Sequence, residues 1–460
     1  MKFNKLIGSK NFYKKVFSLI IPIMVQNGIT NFVNMLDNIM VGSVGTTEMT
    51  GVAITNQLIF VFNLCIFGAI SGAGIFGAQY AGKGDSDGVR HTFRFKLIIG
   101  VLFSALAILF FVFCGNALIS SYLKGDGSIE NVIASHNAAR SYMLIMLIGF
   151  IPFALSQSFS STLRETGRSV PPMVAGVVAV GVNLAFNYLL IFGKLGCPRL
   201  GVAGAAIATV ISRFVELFIM IGYTVSTKGI NPFIVGAFRS LYVPLDLVKR
   251  IIVRGLPLML NEALWASGMA VVNQCYSVRG LDVVAANNIN QTFFNVFAVA
   301  YMAVGVSIGI ILGQMLGAGE TEKAKDAAAQ LTFVSIVISV VVGAAFFVCA
   351  AFIPNLYNTS SEVRRLAVGL MQICAVTMPI EAYAHALYFT LRSGGKTAIT
   401  FVFDSGFIWI IHVPIAFLLS RFTGIGIFPL YLICQLLALL KSALGFYFVK
   451  KGVWINNIVD

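Results

Sequence analysis

Residues 22–85, PIMVQNGITNFVNMLDNIMVGSVGTTEMTGVAITNQLIFVFNLCIFGAISGAGIFGAQYAGKGD, return without a gap as residues 257–320. Identities fall at Pro22/Pro257, Met24/Met259, Asn38/Asn273, Gly45/Gly280, Ile54/Ile289, Phe62/Phe297, Gly74/Gly309, Gln79/Gln314, Gly82/Gly317 and Gly84/Gly319, and Asp85 matches Glu320 in charge. Further along, Thr162-Leu163-Arg164 with Gly167-Arg168-Ser169 recurs as Thr390-Leu391-Arg392 with Gly395-Lys396-Thr397. The chain is therefore a tandem duplication over its whole length, and a duplicated unit sets the architecture before any local motif does.

The composition places that duplication in a membrane. Of 460 residues, 58% are hydrophobic and only 11% charged, with a mean hydropathy of +0.88, too little charge for the surface of a soluble protein of this size. Apolar runs of about 20 residues, the length that crosses a bilayer, occur near 16–41, 52–80, 92–115, 134–162, 169–193 and 201–226. Six more lie near 248–277, 285–316, 325–353, 363–391, 397–420 and 425–449. An even number of spans in each half returns the chain to its starting side. The expectation is an all-α integral membrane protein of twelve transmembrane helices, in two parallel six-helix repeats about an axis along the membrane normal. The lobes are 1–226 and 247–460, joined by a cytoplasmic linker at 227–246 that carries Gly229, Pro232, Gly236 and Pro244.

Lysine and arginine set the orientation, because basic loops stay in the cytoplasm. With both termini inside, the inner ends and loops hold Lys10, Lys14, Lys15, Lys83, Arg90, Arg94, Lys96, Arg164, Arg168, Arg239, Lys249, Arg250, Arg392, Lys441, Lys450 and Lys451, among others. The outer side has few. The net charge of +14 then reads as topology and attraction to anionic lipid headgroups, not as affinity for nucleic acid. No small-residue cleavage site follows the first apolar run, which reads as a span and not a signal peptide.

Several motif matches carry no chemistry. Gly72 to Gly77 spells GxGxxG inside an apolar span, where small residues let helices approach, with no strand before it. Gly77 to Lys83 spells GxxxxGK, but Gly84 stands where a magnesium-binding hydroxyl belongs. The Gly82/Gly84 and Gly317/Gly319 pairs read instead as helix stops. Seven scattered cysteines, six of them in apolar runs, indicate neither a disulfide framework nor a metal site. No HExxH or paired-Asp pattern is present, so no enzyme activity is expected.

Polar side chains inside a span are functional candidates by default. In the first span Gln26, Asn27, Thr30, Asn31, Asn34, Asp37 and Asn38 fall within about 140° of a helix advancing about 100° per residue. Lipid cannot satisfy that face, and Pro22 invites a bend beside it. Asn183 and Asn187, four apart, and Thr209 with the Ala205 carbonyl one turn away are natural partners for Asp37. Three readings fit: an oxygen cage for a small cation, a carboxyl that takes up a proton, or an asparagine-rich hydrogen-bonded seam.

The second half departs chemically from the first. Val272 stands at the position matching Asp37, while Glu262, Asn261, Glu381, His385 and Asp404 sit elsewhere in its spans. Acids placed asymmetrically on a symmetric scaffold assign ion handling to the first lobe and a cationic organic substrate to Glu262 and Glu381. Trp265, Met259, Phe293, Phe294, Tyr301 and Tyr388 offer a lining of aromatic and methionine side chains for flat cations. Arg213 and Glu216, i and i+3, form an internal salt bridge on this reading.

On these residues the chain resembles the multidrug and toxic compound extrusion (MATE) transporters. The likeness rests on the 22–42 segment with Asp37, the Gln79-x-x-Gly82-x-Gly84 turn and its copy at Gln314, and Asn183 with Asn187. It extends to Gly204-Ala205-Ala206 through Thr209 and to the Leu-Arg-x-x-Gly turns at Leu163 and Leu391. The resemblance implies two lobes around a central cleft and a multidrug antiporter in which Na+ or H+ entry drives xenobiotic export by alternating access, with no other cofactor. It further implies ion binding at Asp37, Asn183, Asn187, Ala205 and Thr209, the first three and Thr209 holding sodium if sodium is the coupling ion. Gln26, Asn34, Glu262, Trp265, Glu381 and His385 are the candidates for contact with the small organic substrate. A monomer in the lipid bilayer of a bacterial-type cytoplasmic (inner) membrane is expected. A flippase for lipid-linked oligosaccharide, of the same superfamily, is the alternative; it calls for a more basic cavity than these mid-span acids provide.

Overall fold

A bilayer core offers backbone amides no water, so a chain this apolar must close its hydrogen bonds within each segment. The computed structural model describes residues 8–123, 128–357 and 359–460, except for the side chains of Asn34, Met35 and Asn38, and among these residues every regular element is helical. The first half contains α1 (Lys10–Gly42), α2 (Thr46–Lys83), α3 (Ser86–Tyr122), α4 (Ile129–Ile148), α5 (Phe150–Glu165), α6 (Val170–Phe192) and α7 (Val202–Ser226). The second contains α8 (Leu245–Ser277), α9 (Leu281–Gly317), α10 (Thr321–Ala350), α11 (Ser361–Ser393), α12 (Thr397–Phe401), α13 (Val413–Phe422) and α14 (Ile427–Lys450).

Among the described residues eleven helices are long and apolar enough to cross a membrane, and the α4–α5 pair, bent by 48° at Gly149, brings the number to twelve when it is counted as one span. The span built from α12 and α13 is continuous from Thr397 to Phe422 through two π-helical turns, Val402–Gly406 and Ile408–His412. Helix starts follow local chemistry: the side chains of Asp85, Ser128 and Ser360 accept from the amides of Gly88, Asn131 and Val363 at 2.8, 3.4 and 3.2 Å.

The chain condenses into two compact units, each of which takes segments from both halves. One comprises the described residues up to Met24, then Ala78–Gly84 and Val253–Asp460; the other comprises Val25–Gly77 and Asp85–Ile252. In the first, Val16, Leu19, Ile20 and Ile23 of α1 are packed into a core with Val304 and Ile308 of α9 and Leu331 of α10. Its last residues fold back rather than trail away. Trp454 is 1% exposed, Lys83 Nζ donates to the Val459 carbonyl at 2.7 Å, and Gln79 at the end of α2 bonds both the Asn456 carbonyl (3.1 Å) and the Ile458 amide (2.8 Å).

The repeated glycines divide two tasks that the sequence assigns to one. Gly84 (φ +78°) and Gly319 (φ +75°) supply the left-handed turns, whereas Gly82 lies inside α2 and Gly317 closes α9. At Gly82 a Cβ atom would strike the backbone carbonyl of Gln314, and at Gly317 that of Gln79, the repeat mate of Gln314. The contact is reciprocal, as a two-fold relation requires. Gly82→Ala is expected to lower stability by about 1–3 kcal/mol, because the obstacle is backbone and cannot swing aside; thermal melting of the purified variant checks this, and an unchanged melting temperature overturns the account.

In the other unit the linker is fixed. Arg94 donates to the carbonyls of Gly236 (2.7 Å), Ala237 (2.8 Å) and Tyr242 (3.1 Å), Arg168 bonds Asn231 Oδ1 at 2.7 Å, and Phe233 is buried. Basic residues counted for orientation thus also clamp the inter-repeat segment.

Candidate functional site

Three helices meet around Asp37. The carboxylate, five residues before the end of α1 at Gly42, accepts a hydrogen bond from Asn187 Nδ2 at 2.6 Å. On α6 the i, i+4 spacing stacks Asn183 beneath Asn187, and both are buried, at 5% and 1% exposure. Thr209 on α7 donates to the Ala205 carbonyl at 3.0 Å and accepts from Asn183 Nδ2 at 3.2 Å. The five residues proposed to bind the ion therefore come together in one hydrogen-bonded chain.

That chain holds a conflict. With Asn183 Nδ2 turned to Thr209, its Oδ1 accepts from Asn187 Nδ2 at 3.2 Å but also faces both carboxylate oxygens of Asp37 at 3.0 and 3.1 Å. Turning the amide over lets it donate to Asp37, yet sets its nitrogen 3.2 Å from Asn187 Nδ2 and asks Thr209 for a proton already given to Ala205. Asn187 Oδ1 is buried without a hydrogen-bond partner among the described residues, and an orphaned acceptor of that kind carries a penalty of about 1–3 kcal/mol. A positive charge among these oxygens, whether a proton on Asp37 or a small hard cation, relieves the first arrangement. Among the described residues no group of three or more His, Cys, Asp or Glu is placed to hold a metal ion; the acceptors here are amide, hydroxyl and carbonyl oxygens around one carboxylate, a set suited to a hard cation.

Beside the carboxylate lies a cavity of about 290 Å³. Asp37, Asn187, Ala205 and Thr209 line it together with Asn56 and Asn63 of α2, Tyr142 and Met146 of α4, Phe150 and Phe153 of α5, and Arg213 of α7. Phe62 stacks on Phe150 with ring centroids 3.9 Å apart. Polar groups and rings in one lining give the character of a small-molecule pocket. The aromatic wall comes from α2, α4 and α5, not from the second-half residues the sequence singled out; the asparagines of α2, seven apart in an apolar run, were the available signal.

The substrate candidates with described side chains lie elsewhere. Gln26 is buried and its Oε1 accepts from Arg164 Nη2 at 2.6 Å, joining α1 to α5. Asn34 belongs to α1, but its side chain is outside the described residues. Glu262 and Glu381 are half-buried in α8 and α11, and Trp265 is 39% exposed. His385 sits among rings, with centroids 5.6 Å from Tyr301, 5.0 Å from Phe389 and 6.3 Å from Tyr388. Of the six candidates, none of the five whose side chains are described lines the cavity. Val272, at the position matching Asp37, is fully buried in an apolar core, so the second half has packed hydrocarbon where the first has its acid.

Two buried ion pairs escape the sequence reading. Lys96, counted above as a cytoplasmic charge, has a side chain with no exposure and lies 2.5 Å from Glu165 Oε2. Thr162 adds a 3.2 Å contact to Lys96, and Ser161 donates to Glu165. The carboxylate fills the space left by Gly74 and Gly77, where a Cβ would collide with it; these glycines admit a charged side chain, not a neighbouring helix. Lys441, also read as cytoplasmic, sits well inside α14 and donates to Asp404 Oδ1 at 2.6 Å, while Asn261 Nδ2 takes Asp404 Oδ2 at 2.8 Å. Arg213 and Glu216 pair at 3.4 Å.

A probable multidrug resistance protein NorM of Thermotoga maritima is 24% identical, over 97% of this chain and 94% of its own length. A multidrug resistance protein MdtK of Yersinia pseudotuberculosis is 26% identical over 88% of this chain and 87% of its own. The outward-facing structure of a multidrug resistance MATE family transporter superposes with a TM-score of 0.86 at 18% identity, covering 98% of this chain and 97% of that one, and so shares the fold. The family model MatE matches residues 22–189 and again 257–418, one match in each copy of the duplication. By those two matches, which take in more than half of its length, the chain belongs to the MatE family.

Proposed function

We propose that this protein is a cation-coupled antiporter that exports small organic compounds, drugs or toxic molecules, across a bacterial-type cytoplasmic membrane, with both termini in the cytoplasm and the monomer as the working unit. It is a transporter and not an enzyme. The observation that carries the reading is the Asp37 cluster: one carboxylate set against amide oxygens beside a cavity lined by polar groups and rings, with the Asn187 Oδ1 acceptor left over among the described residues. Sodium would be met there by Asp37, Asn183, Asn187, Thr209 and the Ala205 carbonyl; a proton would be taken by Asp37. Multidrug relatives of near-equal length support the organic cargo. The cavity carries one basic side chain, Arg213, a poor grip for the diphosphate of a lipid-linked oligosaccharide, which weighs against the flippase alternative.

Exchange of one monovalent cation inward for one monovalent cationic cargo outward moves no net charge and must be driven by the ion gradient, whereas exchange for a net-neutral cargo moves one charge, on which the membrane potential works with about 2.3 kcal/mol at 100 mV. Dye efflux from vesicles given a sodium gradient or a pH gradient separately tests the proposal. Efflux driven by one gradient is the expected result, and efflux indifferent to both removes the coupling.

A further inference from the structure

We propose that Arg213 is a specificity-determining residue: it makes the Asp37 cavity select aromatic zwitterions, compounds carrying a carboxylate as well as a cationic nitrogen, over simple organic cations. The inference rests on the reading above that organic cargo enters this cavity.

The placement begins with spacing. Ala205, Thr209 and Arg213 stand four apart on α7, so they form one stripe along the helix, and all three line the cavity. The stripe thus carries the ion-site hydroxyl and a guanidinium one turn on. Arg213 is held by little. Its guanidinium carbon lies 5.0 Å over the Phe153 ring, and its one ion pair, to Glu216 Oε2, is long at 3.4 Å. A guanidinium has five N–H donors, and the others have no partner among the described residues. The Arg213 side chain is 35% exposed while that of Glu216 is 6% exposed, and Glu216 does not line the cavity. Of that pair, then, only the cation faces the space.

The described lining accordingly shows one negative group, Asp37, and one positive group, Arg213, with amides and rings for the rest. A simple cation gains Asp37 but meets a like charge in a partly desolvated space, where such repulsion is stronger than in water. A zwitterion meets both charges with the right sign. The planar fork of arginine, prepositioned over Phe153, suits bidentate capture of a carboxylate. Asp37 alone would serve the coupling ion, so the free donors of Arg213 have no duty in that part of the cycle.

A matched pair of probes tests this: 4-(aminomethyl)benzoate, which carries both charges, and its methyl ester, which keeps only the ammonium. Binding of each to purified protein is measured by calorimetry. Wild type is expected to hold the acid more tightly than the ester. Arg213→Gln combined with Glu216→Gln removes both members of the pair, leaving the buried Arg164, which Glu216 also faces, with Glu165 and Gln26, and is expected to weaken the acid by about ten- to a hundredfold, the range of a hydrogen bond to a charged group, while the ester binds no more weakly. Arg213→Lys, which keeps the charge without the fork, should retain part of the preference. Equal binding of acid and ester to wild type, or a proportional loss of both in the double variant, overturns the role of Arg213 and leaves the transport reading standing. Failure of both probes to bind wild type overturns the cavity as a substrate site and this inference with it.

Discussion

Replacing Asp37 by Asn is expected to reduce gradient-driven efflux to the passive leak while leaving the protein folded. The argument is one of shape against charge. Asparagine keeps an oxygen where Oδ1 now accepts from Asn187 at 2.6 Å, so the seam through Asn183 to Thr209 retains its outline. What disappears is the negative charge and the crowding of oxygens around it, which is the reason for a cation or proton to enter. The loss in stability should be modest, about 1 kcal/mol, the difference between a hydrogen bond to a charged group and one between neutral groups. A second readout separates binding from transport. A coupling ion at one hundred times its Kd stabilises a native protein by about 2.7 kcal/mol, so the ion that drives wild-type efflux should raise its melting temperature and should not raise that of Asp37→Asn. Full transport in the variant, or ion-dependent stabilisation that persists without the carboxylate, would end the assignment.

Lys96→Met is expected to have the largest effect on stability, a loss of about 3–5 kcal/mol. Both members of the Lys96–Glu165 pair are sequestered, at 0% and 6% side-chain exposure, and removing one partner of a buried pair leaves the other charge uncompensated. The carboxylate has no escape: it is enclosed by Gly74 and Gly77 of α2 and by Ser161 of its own helix. Lys96→Met combined with Glu165→Gln should recover most of the loss, since deleting both charges of such a pair is often near neutral. Denaturation of the two single variants and the double forms a mutant cycle whose interaction energy reads the pair directly. A cycle that closes to zero shows that the ions do not depend on one another.

How far the sequence speaks differs from residue to residue, for physical reasons. The helices and their number follow from apolar run length, because the bilayer imposes a minimum span; even the bend at Gly149 falls inside one expected run. The Asp37 cluster was legible because polar residues on a membrane helix are few, and i, i+4 spacing limits which of them can share a face. Pairing within one helix was legible, as Arg213 with Glu216 at i, i+3 shows, but polar pairing between helices was not. Lys96, Lys441 and Arg164 were assigned to a membrane surface from their count and general location, yet each has a long, flexible side chain whose position depends on packing between helices distant in sequence. Lys96 meets Glu165 and Arg164 meets Gln26 only because α3 and α1 each lie beside α5. The cavity wall was missed for a similar cause: phenylalanine is so common in this chain, at 39 residues, that no single ring stands out, and lining a space is a property of the assembled unit.

The segment of α1 before Val25 has a consequence for biosynthesis. Val16, Leu19, Ile20 and Ile23 find their partners in residues from Ala303 onward, so on a ribosome the first span emerges some 280 residues ahead of the surface it will cover. At roughly 5–20 residues per second that is an interval of about 15–60 s. During it the insertion machinery or lipid must cover that face, and Asp37, on the same helix, waits beside it.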